Sequence, residues 1–216
     1  MMNIGMSGSG NMGSAMGKLW ARQGHQVMFS YSRDPKKLEA IAKSAGANAR
    51  TGTTAEAARF GEVIMLTVQY AVLEDALNAA GSLDGKVVIT CVSGLQPDFQ
   101  GQTLELPTEL TSSVAEQIAQ LAPGAKVVEA FNLTFAELLQ TAVSQLGAER
   151  PSLLYCGDDA NAKAIAAALI EECGYDAIDA GGLIKARSIE ALASIWVQTA
   201  VVTGLFPNTG LKILRR

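Results

Sequence analysis

The first residues whose types and spacing could do chemistry are Gly8-Ser9-Gly10-Asn11-Met12-Gly13. They form a G-x-G-x-x-G pattern. A short apolar run, Met2 to Met6, leads into it. After it, Met12, Ala15, Met16, Leu19 and Trp20 recur at helical spacing. Between a strand and an amphipathic helix this pattern is a dinucleotide-binding fingerprint. Gly8 permits a tight turn, Gly10 lets the backbone approach a pyrophosphate, and Gly13 lets the helix pack close to the strand. The free N–H groups of the helix start would then face the phosphates, aided by the helix dipole.

The second strand separates one dinucleotide from another. Gln26 to Tyr31 reads as a buried strand, and Ser32-Arg33-Asp34-Pro35-Lys36-Lys37 comes directly after it. A site for NAD carries a carboxylate at this strand end, roughly 20 residues past the glycine loop, to bind the ribose hydroxyls. Here that place holds Ser32 and Arg33, with Lys37 close behind. A guanidinium grips a 2′-phosphate through two hydrogen bonds, whereas a carboxylate would repel it. The pattern therefore predicts NADP(H). Asp34 is expected to cap the next helix, with Pro35 at its first position.

These residues need a sheet to position them. Continuous apolar runs at Val63 to Val68, Lys86 to Val92 and Lys126 to Ala130 read as parallel strands covered on both faces. Leu153 to Cys156 and Asp176 to Asp179 read as further strands. Helices are expected over Lys36 to Ala45, Ala71 to Ala80, Ala160 to Cys173 and Lys185 to Gly204. Ser113 and Glu116 fit a capping box opening another. Gly94 to Leu110 reads as irregular, and Phe131 to Arg150 as helical. The alternation predicts an α/β fold: a Rossmann-like, doubly wound, mostly parallel sheet with a C-terminal helix. Residues 1–183 would form the NADP-binding domain, and 184–216 a helix and tail packed on it.

Ligands of such sheets bind at the carboxyl ends of the strands. That rule gathers Gly8 to Gly13, Ser32-Arg33, Thr67 to Tyr70 (including Val68), Val92 to Leu95 and Phe131 to Thr134. It places His25 at the opposite end, as a turn residue rather than a catalyst. Cys91 and Tyr70 fall nearer the site, as wall or core.

Composition narrows the class. The chain has 216 residues, of which 49% are hydrophobic and 18% charged, as expected of one α/β domain. A net charge of -4 supplies no basic field for nucleic acid. No uninterrupted apolar stretch of about 18 residues suggests a membrane span. The first charged residue is Lys18, so a basic signal-peptide start is not expected. Cys91, Cys156 and Cys173, without C-x-x-C spacing, read as reduced thiols of a cytoplasmic protein. One histidine and no ligand cluster argue against a metal.

No lysine or histidine is placed at the strand ends to protonate a carbonyl. Beyond the last expected strand there is one helix and a tail. The partner is therefore read as a small-molecule hydride acceptor held mostly by the cofactor domain, in a reaction needing little acid–base help. Hydride transfer between two stacked rings meets that description.

The chain resembles the NADPH-dependent reductases of the deazaflavin coenzyme F420, and the cytoplasmic domain of the six-transmembrane metalloreductases. The likeness rests on GSGNMG, SRDPKKLEAIA, SVAEQIAQLAPGAKVVEAFN, GYDAIDAGGLIKARSIEALASIWVQ and the ending LKILRR, in that order. The resemblance implies that Ser9, Gly10, Asn11 and Met12 form the pyrophosphate loop, and that Ser32, Arg33 and Lys37 clamp the 2′-phosphate. It further implies that Val68 and Ala130 line the nicotinamide half, and that Asn132 and the Gly181-Gly182-Leu183 turn wall the deazaflavin. The chain departs from the family at Cys91-Val92-Ser93-Gly94-Leu95, where an Asn-Pro pair is frequent, and at Asn132-Leu133-Thr134. Both changes lie on the acceptor side. The acceptor therefore stays open between F420, a flavin, a quinone or another small molecule. An imine or ketone reductase and a non-catalytic NADP sensor are the other readings.

Ala191 to Leu205 carries no charge, and apolar residues continue around more than one face. A helix packed by one stripe keeps a charged outer face. The pattern predicts that a second subunit covers this helix in a homodimer, with Leu205 and Phe206 closing the acceptor pocket.

Overall fold

The apolar runs pair side by side. A computed structural model describes residues 1–97, 103–140, 146 and 150–214. Its strands are β1 (Asn3–Ser7), β2 (Gln26–Ser30), β3 (Ala49–Thr51), β4 (Val63–Leu66), β5 (Val87–Thr90), β6 (Gln96–Pro97), β7 (Leu104–Glu105), β8 (Lys126–Glu129), β9 (Ser152–Gly157) and β10 (Asp176–Asp179). Its α-helices are α1 (Asn11–Arg22), α2 (Pro35–Ala45), α3 (Thr54–Phe60), α4 (Leu73–Ala80), α5 (Val114–Leu121), α6 (Ala136–Gln140), α7 (Ala160–Glu172) and α8 (Ala186–Val202).

Eight strands form one sheet in the order β10-β9-β8-β5-β4-β1-β2-β3, while β6 and β7 pair separately. From β3 to β8 all pairing is parallel. Strand β9 meets β8 antiparallel, through Val128 opposite Gly157 and Glu129 opposite Cys156, and β10 runs parallel to β9. The fold is thus the Rossmann-like, mostly parallel sheet that the sequence predicts, extended by two reversed strands. Alternate residues face two cores. Ile4, Met6, Phe29, Met65, Ile89 and Val128 pack beneath α1 and α7 on one face. Ile64, Leu66, Val88 and Val127 pack beneath α4 and α5 on the other. Helix α8 serves both: Ala186 and Ile189 join the second core, Ala193, Trp196 and Ala200 the first.

Local sequence accounts for the helix ends. Asp34 accepts from the backbone N–H of Lys36 (3.0 Å) and Lys37 (3.4 Å), with Pro35 opening α2 as expected. Ser113 accepts from Glu116 N–H (3.1 Å) at the start of α5. The segment expected to be irregular, Gly94 to Leu110, holds the small β6–β7 pairing. The helix expected over Phe131 to Arg150 is observed only as α6; residues 141–145 and 147–149 lie outside the described residues. Strand β3 and helix α3 were not expected. Their signal is the Thr53/Glu56 capping box, in which each side chain bonds the other residue's backbone N–H.

The reversed strands set the place of one turn. Gly157, the last residue of β9, is level with Val128, and its N–H donates to Gly181 O (3.1 Å). Leu183 N–H donates to Asp158 (2.8 Å), and Asp159 pairs with Lys126, the first residue of β8 (3.1 Å). The Gly181-Gly182-Leu183 turn therefore packs beside β9, and Leu183 O accepts from the thiol of Cys156, the residue opposite Glu129 (3.8 Å).

Helix α3 lies close over β1 because Gly5 has no side chain. A Cβ at Gly5 would stand 2.4 Å from the carbonyl oxygen of Ala57, a backbone atom that cannot swing aside. Gly5→Ala is expected to destabilise the fold by about 1–3 kcal/mol, the usual range for overpacking. Denaturant unfolding of the two proteins measures it.

Candidate dinucleotide site

The carboxyl ends of β1, β2, β4, β5 and β8 converge where the strand order reverses between β1 and β4, the crevice in which such sheets bind ligands. The glycine loop leaves β1 there. Gly8 takes φ +119, a conformation natural only to glycine. A Cβ at Gly13 would meet Gly8 O at 2.2 Å and Thr67 Oγ1 at 2.5 Å, so α1 can begin this close to the strand only with glycine in that place. Thr67, just past β4, donates its hydroxyl to Gly8 O (3.1 Å) and its N–H to Ser7 O (2.8 Å). These two bonds tie the end of β4 to the loop.

Helix α1 starts at Gly10 without a side-chain cap, and no acid stands in its first turn. Its leading N–H groups have no partner within the helix. Nothing lies within 4 Å of where a Cβ of Gly10 would be. Asn11 is exposed and Met12 half-buried beside this opening. Ser9 is buried and donates to Tyr31 O (3.5 Å). An uncapped helix start with clear space before it can take an anionic group.

At the end of β2, Tyr31 turns to φ +56 and its hydroxyl donates to Val72 O (3.3 Å). The turn sends Ser32, Arg33 and Lys37 outward. Ser32 is half-buried; its hydroxyl donates to Asp34 O and accepts from Asp34 N–H (both 3.1 Å). Arg33, Lys36 and Lys37 are exposed and make no ion pair among the described residues. Asp34 is turned onto the α2 backbone. The strand end thus offers unneutralised cations and no competing carboxylate.

Across the switch point, Thr67 is half-buried, Val68 buried, and Ala130 fully buried at the end of β8. Phe131 comes after it at φ +68, its ring edge-on to Trp20 at 5.9 Å. Asn132 is next, and both its amide atoms are buried with no hydrogen-bond partner among the described residues. Of the residues predicted to form the site, those on the glycine loop, β2, β4 and β8 come together on this edge. His25 does not. It lies at the amino edge, where Nδ1 accepts from Met2 N–H (3.2 Å) and Nε2 faces Glu172 (2.8 Å). Since Nδ1 accepts, Nε2 carries the proton, and the ring staples β1 to α7. Burial pushes the Cys91 thiol up to about 12, so it is no thiolate at neutral pH.

Sequence reasoning missed two buried carboxyl groups near this edge, Glu129 at the end of β8 and Glu190 on α8, both 0% exposed. Their signal was an acid closing the run Lys126 to Ala130 and another inside the apolar stripe of α8.

A family model described as coenzyme F420-dependent NADP oxidoreductase matches residues 3–94. A crystal structure from Arthrobacter sp. FB24, of a protein proposed to be an F420-dependent NADP reductase, is 30% identical with a TM-score of 0.88, covering 100% of both chains. The chain belongs to the family of F420-dependent NADP oxidoreductases. It is also 28% identical to metalloreductase STEAP3 of Rattus norvegicus over 94% of its own length, spanning only 40% of that protein. A reductive aminase from Aspergillus terreus, solved with NADPH, shares the fold at 20% identity and a TM-score of 0.67, over 94% of this chain and 63% of that one. The family to which the chain belongs is one of NADP-dependent oxidoreductases. Among the described residues no helix is long and apolar enough to cross a membrane, and no group of acidic, histidine or cysteine side chains could hold a metal ion.

Gly13→Ala is expected to lower NADPH affinity by roughly tenfold or more, a displacement worth about 1.4 kcal/mol or above. His25→Gln, at the other edge, should stay within about threefold. Calorimetric titration with NADPH measures both.

Proposed function

We propose that the protein binds NADPH across the β1–β4 crevice and presents it to a ring-shaped hydride acceptor, coenzyme F420 or a flavin-like molecule. One observation carries the cofactor half of this reading: among the described residues Arg33 and Lys37 have no ion-pair partner at the end of β2, where an NAD site would hold a carboxylate. Gly8, Ser9, Gly10, Asn11, Met12 and Gly13 would hold the pyrophosphate through backbone N–H groups. Ser32, Arg33 and Lys37 would hold the 2′-phosphate. Thr67, Val68, Ala130 and Asn132 would line the nicotinamide half, Asn132 offering both a donor and an acceptor. When bound, NADPH supplies the hydride.

The chain's own part is orientation. The glycine loop and the basic clamp fix the cofactor at two separated points, which leaves the nicotinamide ring little freedom. Val68 and Val92, apolar and buried at the strand ends in one core, would exclude water from one side of the ring. Among the described residues no lysine or histidine stands on the nicotinamide half, which favours an acceptor whose own ring takes up charge. NADPH oxidation with F420, a flavin, a quinone and an imine tests the choice. Turnover confined to the imine would replace the ring reading, and tight binding without turnover would make the protein a sensor.

We further propose a homodimer built on α8, in a cytoplasmic protein. Ile195, Val201, Val202, Leu205 and Phe206 are all exposed, which supports a partner surface. Sedimentation at micromolar concentration should show a dimer, and Val201→Glu should shift it toward monomer.

Arg33→Ala is expected to weaken NADPH binding roughly ten- to a hundred-fold, the loss of a charge-assisted pair of about 1.5–3 kcal/mol, with NADH binding nearly unchanged. Parallel titrations decide it. An equal loss for both cofactors overturns the assignment.

A further inference from the structure

Two acids lie where no solvent reaches them. Glu129 closes β8 with its side chain on the α5/α8 face, since Val127 belongs to that core and Val128 and Ala130 to the other. Thr90 of β5 and Cys156 of β9 flank it in register. Above this row stands Glu190 of α8, one oxygen accepting from Val114 N–H at 2.7 Å. Both Glu129 oxygens and the second Glu190 oxygen lack any partner as carboxylates. The two carboxyl groups nevertheless lie within hydrogen-bonding reach of each other.

Two carboxylates have no hydrogen to share, and two buried like charges repel. One proton resolves both problems. Glu190 has the α5 backbone N–H to support its charge, whereas Glu129 has none. Glu129 is therefore the acid that carries the proton and donates it in a hydrogen bond to Glu190. The surroundings offer no alternative. Glu116 of α5 is the other nearby carboxylate, and Arg187 of α8 is bound to it at 2.7 Å. Cys91 and Cys156 remain neutral thiols, and Asp158 bonds Leu183 N–H. Among the described residues no cation meets the pair.

The position matters because Ala130, Phe131 and Asn132 come directly after it. We infer that Glu129 and Glu190 are a positioning pair for the nicotinamide half of the site: their shared proton clamps α8 to the end of β8 and fixes where the Ala130–Asn132 turn projects. This rests on the NADPH reading above. Neither acid touches the cofactor's place; they act through the turn.

Burial raises both groups above the ordinary carboxylate range, Glu190 to about 7 and Glu129 higher. The folded chain thus holds its proton to higher pH than the unfolded one. The pair's contribution is complete below the ordinary carboxylate range and is lost as pH rises through the folded values, about 7 for Glu190 and higher for Glu129. Glu129→Gln separates this from plain packing, because its amide donates to Glu190 at every pH. The experiment compares binding of NADPH with binding of 2′,5′-ADP, which fills only the adenosine half. Taking their ratio cancels the titration of the 2′-phosphate itself, near pH 6. Between about pH 6 and about pH 9 the wild-type ratio is expected to fall by roughly tenfold, one unit's worth of proton linkage, and that of Glu129→Gln to stay within about twofold. If Glu129→Gln fails to fold, Glu190→Gln removes the like charge beside Glu129 and should move the fall of the ratio to lower pH. A wild-type ratio independent of pH, or a slope unchanged in the variant, overturns the inference. Ligand-free melting keeps the two readings apart: the wild type should lose melting temperature over this range and Glu129→Gln lose less. That difference without NADPH binding at any pH overturns the functional reading and the pair's service to it; equal pH slopes in the melts overturn the pair alone.

Discussion

The carbonyl oxygen of Gly8 is the atom around which the site is assembled. It faces Gly13 so closely that a methyl group between them is impossible, and it accepts the Thr67 hydroxyl. Helix α1 and strand β4 are therefore referenced to one point on β1. Strand β2 is referenced to it as well, because Gly8 N–H donates to Ser30 O (3.3 Å) and Ser30 Oγ donates to Met6 O (2.8 Å). The separation between the glycine loop and the basic clamp is thus set by short backbone-anchored bonds. Long flexible side chains only finish the reach. A dinucleotide needs two anion sites at a fixed spacing, and short bonds hold that spacing at the lowest cost in entropy.

How much of this was legible depended on whether the signal was local. The glycine loop, the Asp34 cap and the Ser113 cap are local, and each sits where the residues predicted. The apolar runs were legible because parallel strands are covered on both faces. Strand β3 and helix α3 were not found: three residues and two turns bury too few side chains to show a period, although Thr53 and Glu56 spelled out a cap. Strand direction carries no local signal at all. Leu153 to Cys156 reads the same whichever way it runs, and only its pairing with Val128 and Glu129 shows that it is reversed. That reversal is why the Gly181-Gly182-Leu183 turn packs beside the end of β9. The acids Glu129 and Glu190 meet only through the tertiary fold, so neither announces the other in sequence.

Helix α8 divides its apolar residues between two uses. Its uncharged second half suggested a surface covered by another subunit. Much of that apolar character is used at home, since Ala193, Trp196 and Ala200 are buried in the first core. Trp196 stacks on Phe135 at 6.3 Å, and Phe135 meets Phe206 edge-on at 4.9 Å. A helix that leaves one core and enters another needs apolar residues on two faces in succession. What remains bare is the narrower stripe of Ile195, Val201 and Val202.

The Asp34 and Ser113 caps also tell why phosphate has only one destination on this edge. Helices α1 to α5 all begin there, each with a partial positive charge. Four of those starts are already answered by the protein: α2 by Asp34, α3 by Thr53 and Glu56, α4 by Glu74 and Asp75 in its first turn, and α5 by Ser113, Glu116 and Glu190. Only α1 is left with bare amides and a glycine in front. The phosphate seat is defined by subtraction: among these five helix starts on the carboxyl edge, it is the one to which the described residues assign no anion.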